Sequence, residues 1–268
     1  HRLSLRSDDA GRPHHLGKGA EARRSGCGLR FGRRLRHGGD GDPVVKAQIN
    51  NKFTMSSVKI DNYEIYYELT GPEDAPVVAL ANGIFAEADN WAAQVQALSR
   101  EFRVLTFDFV GQGKSTPATE PIVPDQQAEI FDKLLEELNI SEVHYVGISY
   151  GGEVGLNWAI RRPKQLKCLV LADCVARIHA QLGARVEAWI GVMETGDHDL
   201  LFRISASDIF SPHYMTQNQP LMGAVRRGYQ NLNLSSLLCL LRNYASFDLS
   251  DELSAINVPT LLICGELD

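Results

Sequence analysis

Ser149 stands in "VHYVGISYGGEVGLNWA", with Gly147 two places before it and Gly151 two places after. The apolar "VHYVGI" reads as a buried strand and "GGEVGLNWAIRR" as a helix, so the serine falls on the turn between them. Flanking glycines let the chain turn tightly and hold the serine in a strained conformation, with its hydroxyl exposed above the sheet. The helix start beneath favours negative charge developing nearby. A serine so placed suits nucleophilic attack on a carbonyl, provided a positioned base takes its proton. A second stretch, "DFVGQGKST" from Asp108 to Thr116, ends in Gly-Lys-Ser as a phosphate-cradling loop does. That loop needs a glycine five places before Gly113, where this chain has Asp108, a carboxylate. It also needs a helix starting at its Lys-Ser, whereas "TPATEPIVP" follows, with Pro117, Pro121 and Pro124. A nucleotide site is therefore a poor reading of this motif.

The elements that must position Ser149 form a regular series from Val58 onward. "VKIDNYEIYYEL" alternates around Asp61-Asn62 and reads as a β-hairpin. "APVVALAN" and "FRVLTFDF" are short apolar runs bounded by turn signals, the mark of strands buried on both faces. Between them "AEADNWAAQVQALSRE" has helical spacing, with Trp91, Val95 and Leu98 on one side. In "DQQAEIFDKLLEELNI", residues Ile130, Leu134, Leu135 and Leu138 make an apolar stripe, and Asn139 suits a helix end. The strand "LKCLVLAD" follows the helix after Ser149, and "PTLLICG" comes near Asp268. Strands alternating with helices predict an α/β fold, a mostly parallel sheet with helices on both faces. Between its last two strands, from about 175 to 258, lies a stretch of apolar helical segments that reads as an inserted cap over a binding crevice.

Residues 55–268 resemble the α/β-hydrolase superfamily, in its branch of 3-oxoadipate enol-lactonase-like esterases and carboxylesterases. The resemblance rests on the strand–GISYG–helix unit, on "LANGIF" after the third strand, "DFVGQGKS" after the fourth and "LLICGELD" after the strand that follows the insertion. It implies that Ser149 is the nucleophile and that "DFVGQGKS" is a turn near the active site that binds no phosphate. The oxyanion donors would be the backbone N–H of Tyr150 and one from the loop after the third strand, Ile84 or its neighbour Phe85. Many members carry His-Gly in that loop, and this chain has Asn82-Gly83. The order serine, acid, histidine makes Asp268 the expected acid, with Asp173 in "LVLADC" as its rival. No histidine at hand has the expected Gly-His context: His144 begins a strand, and His179, His198 and His213 lie in the insertion. The resemblance then implies that a further strand, the catalytic histidine and a closing helix belong after Asp268, and that the stretch ending there is inactive alone. Hydrolysis of a small or medium carboxylic ester or lactone through an acyl-enzyme is the expected reaction. An acyltransferase with the same nucleophile, or a small-molecule binder without catalysis, are the alternatives.

Composition narrows the partners. Residues 1–54 carry twelve Lys/Arg against five Asp/Glu, while 55–268 carry fifteen against twenty-eight. The first segment is rich in Gly and Arg and shows no apolar period, so it reads as a disordered or non-native leader. The acidic remainder argues against nucleic acid or an anionic membrane as partner, and no run is apolar and long enough to span a membrane. Five cysteines form no Cys-x-x-Cys pair, and three sit in apolar runs, as small buried hydrophobes do. A reducing, cytoplasmic compartment follows, and neither a cofactor nor a metal site is expected.

Overall fold

A computed structural model describes residues 54–266. The sequence's hairpin forms from β1 (Thr54–Ile60) and β2 (Tyr63–Thr70), paired antiparallel around Asp61, whose φ is 52°. Aspartate is among the few non-glycine residues that tolerate this left-handed backbone. The strands that follow are β3 (Val77–Ala81), β4 (Arg103–Phe107), β5 (Val143–Ile148), β6 (Leu166–Ala172) and β7 (Thr260–Ile263). They complete a seven-stranded sheet in the order β1-β2-β4-β3-β5-β6-β7, parallel from β4 to β7.

Side-chain alternation along these strands sorts the helices onto two faces. Val78 and Leu80 of β3, Val104 of β4 and Val146 of β5 meet Trp91, Val95 and Leu98. The first of these is in a 3-10 turn and the other two are in α1 (Ala92–Leu98). On the other face Leu105, Phe107 and Tyr145 pack with α2 (Pro124–Glu137) and α3 (Tyr150–Arg161). There the Phe131 ring stacks on Phe107 and meets Tyr145 and Trp158 edge-on. Pro124 opens α2, where its missing N–H costs no hydrogen bond. Asn139, at φ 55°, ends that helical segment as its position in the sequence suggested.

The chain runs from β3 outward to β4, then returns past β3 to lay down β5. Strand order therefore reverses between β3 and β5, and parallel sheets bind ligands beyond the carboxyl ends of strands at such a reversal. The loop after β3 and the turn carrying Ser149 both lie at that reversal.

Between β6 and β7 run α4 (Ala180–Thr195), α5 (His198–Ile209), α6 (Pro212–Gln217), α7 (Gln219–Tyr229) and α8 (Leu234–Leu241). The two ends of this insertion are tied together: Ile178 N–H donates to Phe247 O, and Leu249 N–H donates to Ala176 O. Helix α8, "LSSLLCLL", is buried almost all round and is fixed to the loop after β4. Ser236 Oγ accepts from Ala118 N–H at 2.7 Å and donates to Gly111 O at 3.0 Å.

Candidate active site

Ser149 precedes the first residue of α3 with φ 50° and ψ −123°, a conformation rarely adopted outside glycine. The surroundings explain how such strain is held. Ser149 N–H donates to Ala172 O at the end of β6, and Tyr145 Oη donates to Gly151 O from below. A Cβ on Gly147 would lie 2.4 Å from Gly151 O, and one on Gly151 would lie 2.5 Å from Ala81 O. Both contacts are with backbone, which cannot rotate away. The spacing G-x-S-x-G is thus a packing requirement of the turn against its own helix and against β3.

The loop after β3 comes directly to the serine. A Cβ on Gly83 would stand 3.5 Å from Ser149 Cβ. Among the described residues, the backbone N–H groups of Ile84, Phe85 and Tyr150 donate to no protein acceptor. Open N–H groups on the loop and at the start of α3 are what an anion-stabilising pocket requires. Ile84 and Tyr150 are buried, and the Ser149 side chain is partly open.

A network built on Asp108 holds this loop. Asn82, fully buried, donates through Nδ2 to Phe107 O (3.0 Å) and Asp108 Oδ1 (3.3 Å), and accepts from Trp91 Nε1 (2.7 Å). Asp108 also accepts Ala88 N–H at 2.7 Å and Lys114 N–H at 2.9 Å. Burial pushes its carboxyl up, against the opposing pull of those two N–H groups. The phosphate question raised by "DFVGQGKST" is settled here. A Cβ on Gly113 would sit 2.2 Å from Asp108 Oδ2, so a carboxylate of the chain itself fills the turn. Lys114 reaches Asp89 at 3.1 Å and lies 4.3 Å over the Tyr66 ring.

Two further buried groups were not singled out from the sequence. Gln112, between the turn glycines Gly111 (φ 94°) and Gly113 (φ 47°), donates through Nε2 to Gly83 O and Ile84 O, each at 2.9 Å. Its only sequence signal was its place between those glycines. Glu153, one turn into α3 from Ser149, accepts from Tyr244 Oη and from Val175 N–H. Burial pushes its carboxyl up to about 7 although both bonds oppose the shift. A glutamate in the otherwise apolar "GGEVGL" was the signal, since a buried acid must find partners.

Asp268 lies outside the described residues. Its rival Asp173 follows β6 with φ 44°, and its Oδ1 accepts Gly265 N–H at 2.8 Å, just past β7. Its backbone N–H donates to Ile263 O. Three of the histidines make other contacts. His144 is the second residue of β5, at the opposite end from Ser149, with Nδ1 3.0 Å from Cys168 Sγ, and burial lowers its pKa. His179 caps α4 by accepting Leu182 N–H, and His198 Nδ1 meets Tyr229 O at 2.7 Å. Among the described residues no cluster of metal-ligating side chains occurs, and no helix is long and apolar enough to cross a membrane.

From the insertion, Trp189 of α4 and Tyr229 of α7 pack on Phe85 with ring centroids 5.3 and 5.6 Å away. A separate cleft, lined by Ile84, Glu87, Gln112, Ser115, Asn233 and Leu237 among others, touches the loop but not Ser149. The geometry around the serine, not that cleft, marks the candidate chemistry.

These features define an α/β hydrolase. The family model of the alpha/beta hydrolase fold matches residues 76–268, and the chain belongs to that family. It is similar to 3-oxoadipate enol-lactonase 1 of Acinetobacter baylyi, 30% identical over 228 residues covering 80% of each chain. Homoserine O-succinyltransferase of Xanthomonas campestris pv. campestris is 27% identical, covering 85% of this chain and 72% of that one. The crystal structure of the enol-lactonase from Burkholderia xenovorans LB400 superposes with a TM-score of 0.73 at 25% identity, covering 79% of this chain and 81% of the other.

Proposed function

We propose that this protein is a serine hydrolase of small or medium carboxylic esters or lactones, acting through an acyl-enzyme. The observation that carries the reading is Ser149 itself, held at φ 50° on the strand-to-helix turn with the Gly83 loop against it. Ser149 Oγ gives its proton to a histidine and forms a bond to the substrate carbonyl carbon. The oxygen that becomes negative is met by the N–H groups of Tyr150 and of Ile84 or Phe85. Collapse breaks the carbon–oxygen bond to the leaving alcohol, which takes the proton from the imidazolium. In a lactone that alcohol stays tethered to the acyl chain. Water then repeats the cycle, releasing the acid and restoring Ser149.

In this reading Asp268 holds the imidazole of the base histidine, in the superfamily's order of serine, acid and histidine. The insertion acts as a cap. The aromatic contact of Phe85 with Trp189 and Tyr229 gives it an apolar face towards the loop, which suits a compact acyl group rather than a polymer. No cofactor or metal enters the scheme, and the enzyme works in the cytoplasm on a free small molecule.

The test uses the full-length protein. A fluorophosphonate probe labels Ser149, and Ser149→Ala removes both labelling and p-nitrophenyl ester hydrolysis, by at least a thousandfold. Hydrolysis retained in Ser149→Ala overturns the assignment, and an unlabelled parent supports a non-catalytic binder instead. The similarity to a homoserine O-succinyltransferase gives a second reading, transfer of the acyl group to an alcohol. Ester formed in preference to free acid, when a thioester and an acceptor alcohol are both supplied, selects it.

A further inference from the structure

We propose that Gln112 is the positioning residue of the oxyanion hole, aiming the N–H groups of the loop after β3. The proposal rests on the reading above, that this loop stabilises a tetrahedral oxyanion beside Ser149. Its carboxamide Nε2 donates at 2.9 Å to two successive carbonyls, Gly83 O and Ile84 O. The chain has no cis peptide bond among the described residues. A trans peptide unit points its C=O and the next N–H in opposite directions. Fixing Gly83 O therefore turns Ile84 N–H away from Gln112, and fixing Ile84 O does the same for Phe85 N–H. Both N–H groups then stand open on a loop that touches the serine. Ala86 N–H adds a second bond to Gly83 O at 3.2 Å, so Gln112 shares the aim of Ile84 N–H with it and sets that of Phe85 N–H through Ile84 O.

Gln112 is itself well held. It is 5% exposed, its N–H donates to Phe109 O, and its C=O accepts Ser115 N–H. The neighbouring glycines are pinned too, Gly111 through Thr116 and Ser236, and Gly113 against Asp108. Two carbonyl acceptors require the NH2 end of the amide to face them, because a carbonyl oxygen there would be repelled. That orientation leaves Gln112 Oε1 buried without a partner.

The experiment takes the full-length protein with Gln112→Met, which keeps length but donates nothing, Gln112→Asn, which is too short to reach both carbonyls, and Gln112→Glu, whose carboxylate repels them. The expected result is a kcat lower by about ten- to a hundredfold in Gln112→Met and Gln112→Glu, with KM within about twofold, and a smaller fall in Gln112→Asn. Across the series, binding of a trifluoromethyl ketone that forms a tetrahedral adduct should weaken by the same factor as kcat/KM. A merely structural residue would lower thermal stability without moving those two quantities together. Parental kcat in a folded Gln112→Met, or ketone affinity that does not follow kcat/KM, overturns the proposal while leaving Ser149 as nucleophile. If Gln112→Met fails to fold, the Asn and Glu variants carry the same comparison. If the parent shows no Ser149-dependent turnover, the functional reading has failed first, and this inference falls with it.

Discussion

At Gly151 a missing side chain decides the geometry of the site. Its α-carbon passes so close to the end of β3 that a methyl would meet Ala81 O at 2.5 Å and Asn82 O at 2.6 Å. Gly151→Ala should therefore push α3 and the loop apart, costing about 1–3 kcal/mol. Calorimetry should show a melting temperature lower by several degrees, with ester hydrolysis falling further than stability alone explains. An unchanged melting temperature would mean that the turn has slack that the contacts do not show. Glu153 offers a second test at this scale. Its carboxyl is pushed from an ordinary 4.5 to about 7 in the folded chain, chiefly by burial. A raised folded value means the stabilisation is complete below about 4.5 and is lost as pH rises through 7. Glu153→Gln should therefore gain on the parent across that window, by up to roughly 3 kcal/mol at pH 8. Denaturant midpoints measured from pH 4.5 to 8 check it, and a difference that does not grow with pH refutes it. The G-x-S-x-G spacing was readable without coordinates because it sits between an apolar strand run and a helical run, although the contact that demands Gly151 comes from β3. Gln112 and Glu153 were not, because their partners Gly83, Ile84, Tyr244 and Val175 come from distant stretches.

Two strand ends, those of β6 and β7, meet at one residue. Asp173 holds Gly265 N–H with its carboxylate while keeping a left-handed backbone that asparagine also tolerates. Asp173→Asn retains the accepting oxygen, so activity in the full-length protein should stay within a few fold of the parent. Asp173→Ala loses the bond and should cost more, because the turn leading towards Asp268 is no longer fastened. If Asp173→Asn instead abolishes hydrolysis, Asp173 is the acid, since an amide there presents the wrong partner to the imidazole. Element types were legible from periodicity: the apolar runs of β3 to β6 and the stripe of α2 read correctly. The 3-10 turn ahead of α1 did not, nor did the role of α8. A leucine-rich helix buried almost all round looks, in sequence, like the inside of a separate cap. Its bonds show that it belongs to the loop after β4: Ser236 to Gly111 and Ala118, and Cys239 O to Ile122 N–H.

Across the whole molecule, the site is a product of strand order rather than of any single segment. The reversal at β3 sets the Asn82–Phe85 loop beside the serine turn, while Asp108 and Gln112 brace that loop from the neighbouring strand's exit. That arrangement was legible as a family resemblance, but the hydrogen bonds that make "DFVGQGKST" a brace were not. Parallel pairings such as Val77 with Val143 join residues far apart in the chain. Contacts of that kind must close large loops before they repay the entropy, which makes them slow to form. Helices α2 and α3 can nucleate from local contacts, yet nothing forces Ser149 into its left-handed backbone until β3, β5 and β6 have zipped. Reactivity at this serine should therefore be the last property regained after dilution from denaturant, trailing the recovery of helical circular dichroism in time. Under the proposed mechanism the nucleophile is armed by the completion of folding, and partly folded chains carry an ordinary serine.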